Sequence, residues 1–173
     1  ALYEPLFYMN NLKDDPTKLE PLMGKSYTIS DDAKTIDVTI RDGEKWSDGE
    51  PYTAEDVAYT FNLLNSNKAL NTGGFAGSAK ALSDTEVRIT LDNSESVNAL
   101  SYLSGTMIVP KHVWEKIDDP VTYTNKDAVG SGPFTVKGGN FSPTAYTFKK
   151  NPHYWDEGKP EIDGVRYVLI TGG

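Results

Sequence analysis

Polar and apolar positions alternate strictly in "TIDVTI", residues 35–40, with Ile36, Val38 and Ile40 on one face and Thr35, Asp37 and Thr39 on the other. A period of two marks a half-buried strand. The preceding "SYTIS" pairs naturally with it across "SDDAK", so residues 26–40 are predicted to form a β-hairpin with a loop of three to five residues. The alternation returns in "EVRITL", where Val87, Ile89 and Leu91 point inward after the turn residues Ser83 and Asp84. "PFTVK" and "AYTFKK" predict a further strand pair around the turn-rich "GGNFSPT", and "VRYVLI" reads as a more continuous apolar strand.

Helical periodicity is rarer. Thr53 is placed to cap a helix with Asp56 near its third position, and Val57, Phe61 and Leu64 then fall on one face of a helix running to about Asn65. A shorter helix is predicted from about Ser96 with Leu100 and Leu103, and another over "KHVWEKI" after Pro110. The pattern predicts an α+β fold of mostly antiparallel hairpins with a few helices. Between the first strand and the first helix, "DGEKWSDGE" makes two Asp-Gly turns around Trp46, which is read as a buried plug at the end of the core. The glycine-rich "NTGGFAGS", residues 71–78, reads as a loop too short to separate domains.

Composition narrows the function classes. A chain of 173 residues, 38% hydrophobic, can bury a core and predicts one domain or at most two small ones. A net charge of −8 argues against nucleic-acid partners, which need clustered Lys and Arg. The absence of cysteine removes disulfides, thiolate metal sites and cysteine nucleophiles. No apolar run reaches the roughly 18–20 residues of a membrane span. Both ends read as cut, "ALYEPLF" beginning at once as buried structure and "VRYVLITGG" stopping after a strand.

No catalytic constellation emerges. His112 and His153 lie far apart without metal-ligand spacing, the serines of "SGTM" and "GSGPF" lack a nucleophile elbow, and "NTGGFAGSAK" lacks phosphate-loop spacing. The acidic pairs Asp14-Asp15, Asp31-Asp32 and Asp118-Asp119 sit among turn formers. The expectation is a protein that is not an enzyme, with no catalytic residue, no metal site and no cofactor.

At "SDDAKTIDVTIRDGEKWSDGEPYTAEDVAYTF", residues 30–61, the chain resembles the family 5 extracellular solute-binding proteins, the oligopeptide, dipeptide and nickel binders that feed ABC importers. "YEPLF", "IVPKHVWE", "VGSGPFTV" and "KNPHYWDEGKPEIDGVRY" match further family segments in order. The resemblance implies a two-lobed periplasmic-binding-protein-like fold that closes on its ligand, with residues 1–171 forming part of lobe I and the second lobe and C-terminal return lying elsewhere. Gly172-Gly173 is read as a linker or an engineered remnant.

The same resemblance implies an extracytoplasmic, monomeric ligand-capture lobe, periplasmic or a cell-surface lipoprotein of a Gram-positive organism. It would bind an oligopeptide, oligosaccharide or metal chelate together with the missing lobe and deliver it to the membrane subunits of an ABC importer. The ligand-binding residues carried over are Tyr3, Glu4 and Leu6 of "YEPL", and Gly74 and Phe75 of "GGFAG". Phe75 is read as a ligand-stacking aromatic because a glycine-flanked loop offers it few packing partners. The alternative is a structural or interaction module with no small-molecule ligand of its own.

Overall fold

The structure is a computed structural model that describes residues 2–15, 17–94 and 96–170. Gly172-Gly173, expected to be a linker or an engineered remnant, lies outside the described residues. In chain order the elements are β1 (Phe7–Tyr8), β2 (Glu20–Pro21), β3 (Gly24–Ile29), β4 (Thr35–Ile40), α1 (Ala54–Ser66), β5 (Gly77–Ala81), β6 (Glu86–Leu91), α2 (Ser96–Gly105), α3 (Lys111–Trp114), β7 (Phe134–Ser142), β8 (Ala145–Lys150) and β9 (Gly164–Val168). The α+β expectation and the antiparallel hairpins are observed.

The central sheet has the order β3-β4-β6-β5, antiparallel throughout. Its register sets Ile36 opposite Ile89 and Val38 opposite Val87, so the alternating apolar sets of both strands fall on one face. Asp37 faces Arg88 on the other side in a two-bond pair at 2.8 and 3.0 Å. Val57 and Phe61 of α1 are fully buried in the core with that apolar face, and Leu6, Leu103 and Ile108 complete the same cluster. Leu64, predicted on the same stripe, is half-buried at the helix end.

The stretch after β4 folds as the sequence predicts. Gly43 and Gly49 adopt φ of 74° and 90°, values open to glycine, and so make the two Asp-Gly turns. Between them Trp46 is wholly buried and stacks on Tyr52 at 4.4 Å between ring centroids. Trp46 N–H donates to Glu50 O at 2.8 Å, Gly49 N–H donates back to Trp46 O at 2.9 Å, and Lys45 bridges to Pro51.

Helix α1 then starts on a capping box. Glu55 N–H donates to Thr53 Oγ1 at 3.3 Å, and Thr53 N–H donates to Asp56 Oδ2 at 2.9 Å. The other Asp56 oxygen accepts from Lys111 N–H at 2.8 Å, so one carboxylate caps α1 and tethers α3. Burial pushes the Asp56 carboxyl above the usual range, and these backbone donors offset part of that cost. Trp46 Nε1 faces the same carboxylate outside hydrogen-bond geometry and still favours its ionised form. Thr53→Ala is expected to remove about 0.5–2 kcal/mol of folding stability. Chemical denaturation reads it, and an unchanged midpoint would show that Asp56 alone holds the helix start.

Three predictions need correction. The "KHVWEKI" helix shrinks to Lys111–Trp114. The glycine-rich residues 71–78 are not all loop: Gly77 opens β5, where a Cβ would lie 2.0 Å from Thr90 O, so close strand pairing demands glycine. "GGNFSPT" is mostly strand rather than turn. β7 runs through to Ser142, with Gly138 at φ 74° and a register shift between Thr135 and Asn140 absorbing the irregularity as a bulge.

A second sheet, β7-β8-β9, carries the last part of the chain. Phe141, Tyr146 and Tyr167 lie opposite one another across it, and all three are exposed. Phe148 packs edge-on against Phe141 and Tyr167 at 5.9 and 5.8 Å. The apolar run of the final strand is therefore real but uncovered within the described residues.

Candidate functional site

Residues 2–6 run as a backbone spine through three parts of the molecule. Leu2 O accepts from Gly132 N–H at 2.9 Å, Glu4 O accepts from Ile108 N–H at 3.3 Å, and Leu6 O accepts from Leu22 and Gly24 N–H at 3.1 and 2.9 Å. Gly130 lies so close to the spine that a Cβ there would sit 1.9 Å from Leu2 O. Ser47, next to the Trp46 plug, grips Gly130 from the far side through both its N–H and its hydroxyl.

The side chains of the spine divide by character. Leu6 is 1% exposed and belongs to the core, so its expected ligand contact is not available to its side chain. Tyr3 and Glu4 are half-buried. Tyr3 Oη accepts from Asn125 Nδ2 at 2.9 Å. Glu4 accepts from Tyr154 Oη at 2.8 Å and from Trp155 Nε1 at 3.1 Å, and the guanidinium of Arg41 lies 3.9 Å over the Trp155 ring. Burial raises the Glu4 carboxyl above its usual value even against those two donors, and burial with the Glu4 bond raises the Tyr154 hydroxyl.

That shift has a sign. A carboxyl with a raised folded-state pKa binds its proton more tightly when folded, so its contribution is present below the ordinary glutamate value and lost as pH rises through the folded one. Wild type minus Glu4→Gln stability is expected to fall as pH is raised from about 4 to 7, followed by urea denaturation at each pH. A difference that stays flat would show a fully hydrated Glu4 carboxylate.

The second predicted segment borders a cavity of about 450 Å³ between the end of α1, residues 70–75, α2 and residues 105–107. Its wall includes Leu64, Leu70, Phe75, Tyr102 and Met107. Phe75 corrects the sequence reading: it is 3% exposed and meets Phe61 at 4.9 Å and Tyr102 at 5.3 Å, both edge-on, so it is core rather than a loop aromatic short of partners. The reason is the loop's own bracing. Asn71 Oδ1 accepts from Phe75 N–H at 2.8 Å and its Nδ2 donates to Phe75 O at 2.7 Å, which turns the ring inward. Gly74, exposed at φ 69° with open space around it, lies between the lining residues Gly73 and Phe75 but is not itself part of the wall.

The two segments meet through residues 107 and 108. Met107, half-exposed, stands on the cavity rim, and the next residue, Ile108, bonds to Glu4 O. Sequence reasoning missed Asn71, Tyr102, Met107, Tyr154 and Trp155. The last two stood in the quoted "NPHYW" run, yet nothing local points them 150 residues back to Glu4.

A larger groove of about 960 Å³ opens between residues 125–129 and the β7-β8 hairpin, lined by Leu2, Val136, Phe141, Tyr146 and Phe148 among others. It continues onto the uncovered aromatic face. Two histidines distant in sequence flank the turn beside it: His112 Nε2 lies 2.7 Å from Asp48 Oδ2, and the His153 ring lies against Gly49. Among the described residues no group of three or more His, Asp or Glu is placed to hold a metal ion, and no helix is long and apolar enough to cross a membrane.

Residues 18–172 match the family model for bacterial extracellular solute-binding proteins, family 5 middle region. The chain is 34% identical over 176 residues to Protein XP55 of Streptomyces lividans, covering 93% of this chain and 32% of that protein. The ABC transporter substrate-binding protein CtaP of Listeria monocytogenes superposes with a TM-score of 0.84 at 29% identity, covering 99% of this chain and 35% of that one. The oligopeptide-binding protein AppA of Bacillus subtilis, solved with a nonapeptide, gives a TM-score of 0.80 at 25% identity over 98% and 34%. The chain thus spans about a third of the length of these relatives.

Proposed function

We infer, from the fact that this chain belongs to the family 5 bacterial extracellular solute-binding proteins, that it forms part of the first lobe of a two-lobed ligand trap delivering a peptide to an ABC importer outside the cytoplasm. The observation that carries this reading is the link from the spine to the 450 Å³ cavity, where Glu4 O accepts from Ile108 N–H and the adjoining Met107 lines the space with Gly73 and Phe75. Phe75 forms part of the cavity wall, and Leu6 lies in the buried core. A concave, mostly apolar site with a few placed polar groups is the ordinary form of a small-ligand site. The peptide assignment leans on AppA, whose structure holds a nonapeptide. The uncovered β7-β8-β9 face and its groove are read as the surface that polypeptide outside residues 1–173 covers.

A half-site gives little affinity when binding stabilises the closed pair of lobes. The whole protein, mixed with a nonapeptide, is expected to gain several degrees in melting temperature and to give a calorimetric binding isotherm. The 173-residue chain alone is expected to show no rise. A rise of several degrees at micromolar peptide in the chain alone would overturn the two-lobe requirement, and no binding by the whole protein would overturn the capture reading.

A further inference from the structure

We propose that Arg41 is a positioning residue for the Glu4 carboxyl, acting through the Trp155 indole that lies between them; its bearing on ligand rests on the capture reading. Arg41 follows β4 directly and is tied down twice, its N–H donating to Met23 O at 3.0 Å and its Nε to Leu22 O at 2.6 Å. The guanidinium then lies 3.9 Å from the centroid of the Trp155 ring, and Trp155 Nε1 donates to Glu4 Oε2 at 3.1 Å. Tyr154 donates to the other carboxyl oxygen at 2.8 Å. These contacts close on the spine they start from, because Leu22 N–H donates to Leu6 O at 3.1 Å.

A cation on the face of an indole is attracted by the ring and draws electron density from it, which makes the Nε1–H a better donor. The acceptor is a carboxyl group, which bonds most strongly when ionised. Among the described residues Arg41 forms no salt bridge, which leaves the Leu22 carbonyl and the indole face as its partners. The segment that carries the indole is anchored without Arg41. Asn151 N–H donates to Pro133 O and Asn151 Nδ2 to Gly132 O, both at 2.9 Å, and Tyr154 N–H donates to Asn151 O at 3.3 Å. Residues 151–155 therefore keep their path when the guanidinium is replaced. What Arg41 sets is the tilt of the indole, and with it the second of the two bonds that hold the Glu4 carboxyl.

The test uses the whole protein with isotope-labelled tryptophan indoles, the two resonances of interest being identified by Trp155→Phe and Trp46→Phe. Solvent exchange of the Trp155 Nε1–H, taken as a ratio to that of the buried Trp46 Nε1–H so that opening of the core cancels, is expected to rise about tenfold in Arg41→Met, the loss of one cation–π contact. Arg41→Lys loses the Nε bond as Met does but keeps a cation in reach of the ring, and is expected to hold the ratio within about threefold of wild type. Nonapeptide affinity, read by calorimetry, is expected to fall roughly threefold or more in Arg41→Met, since binding must then order one side chain again, and less in Arg41→Lys. An unchanged ratio in Arg41→Met, or equal acceleration in both variants, overturns the positioning and leaves capture intact. The expected ratios with unchanged affinity overturn the bearing of Glu4 on ligand. A whole protein that binds no nonapeptide overturns capture, and the ratios alone then decide the positioning.

Discussion

Trp46→Ala is expected to cost about 3–5 kcal/mol of folding stability, as for other buried aromatics truncated to alanine. The indole is fully buried and stacked on Tyr52 at an interplanar angle of 25°, so its removal leaves a ring-sized void under a second ring. Its Nε1 makes no hydrogen bond but favours the ionised Asp56 carboxylate, so truncation removes that support along with the packing. Collapse of the void is resisted by the frame around it. Turns with positive φ at Gly43 and Gly49 fix the chain on both sides, and Ser47 is bonded to Gly130. A penalty of this size is a large part of the stability of a domain. Urea denaturation at pH 7 measures it, and a cost below about 1 kcal/mol would mean that the ring is not core.

The same residues show what was legible beforehand. Strands with strict alternation, residues 35–40 and 86–91, were readable because burial on one face imprints a period of two, and both were found with the predicted face inward. The α1 cap was readable because Thr53 and Asp56 act within one turn. Glycine was ambiguous. The same residue type marks a turn at Gly43, a bulge at Gly138 and a close strand approach at Gly77, and only the partner strand decides between them. The candidate site was less legible than the fold. The resemblance pointed alike to Tyr3, Glu4, Leu6, Gly74 and Phe75, and that Leu6 and Phe75 turn inward rests on core neighbours such as Phe61 and Tyr102, which no local pattern joins to them. Tyr154 and Trp155 reach Glu4 only because the late segment folds back onto the first residues of the chain.

Phe75 provides the second large effect, because its inward position converts a question about binding into one about folding. Phe75→Ala is expected to destabilise by about 3–5 kcal/mol, since the ring fills the gap between Phe61 and Tyr102 and its loss opens a void that joins the existing cavity. Phe75→Leu retains most of the volume and is expected to cost less than about 1.5 kcal/mol. The Asn71 clamp bonds only the backbone of residue 75 and survives both changes, so the loop should keep its path. Thermal and urea melts of the two variants read the stability, and calorimetry on the whole protein reads affinity per folded molecule. With Phe75 in the cavity wall, nonapeptide affinity per folded molecule should change far less in Phe75→Leu than in Phe75→Ala. Were Phe75→Ala instead to leave stability within about 0.5 kcal/mol of wild type while abolishing peptide binding, the ring would have to leave the core and stack on the ligand, and Phe75 would be no part of the packed core.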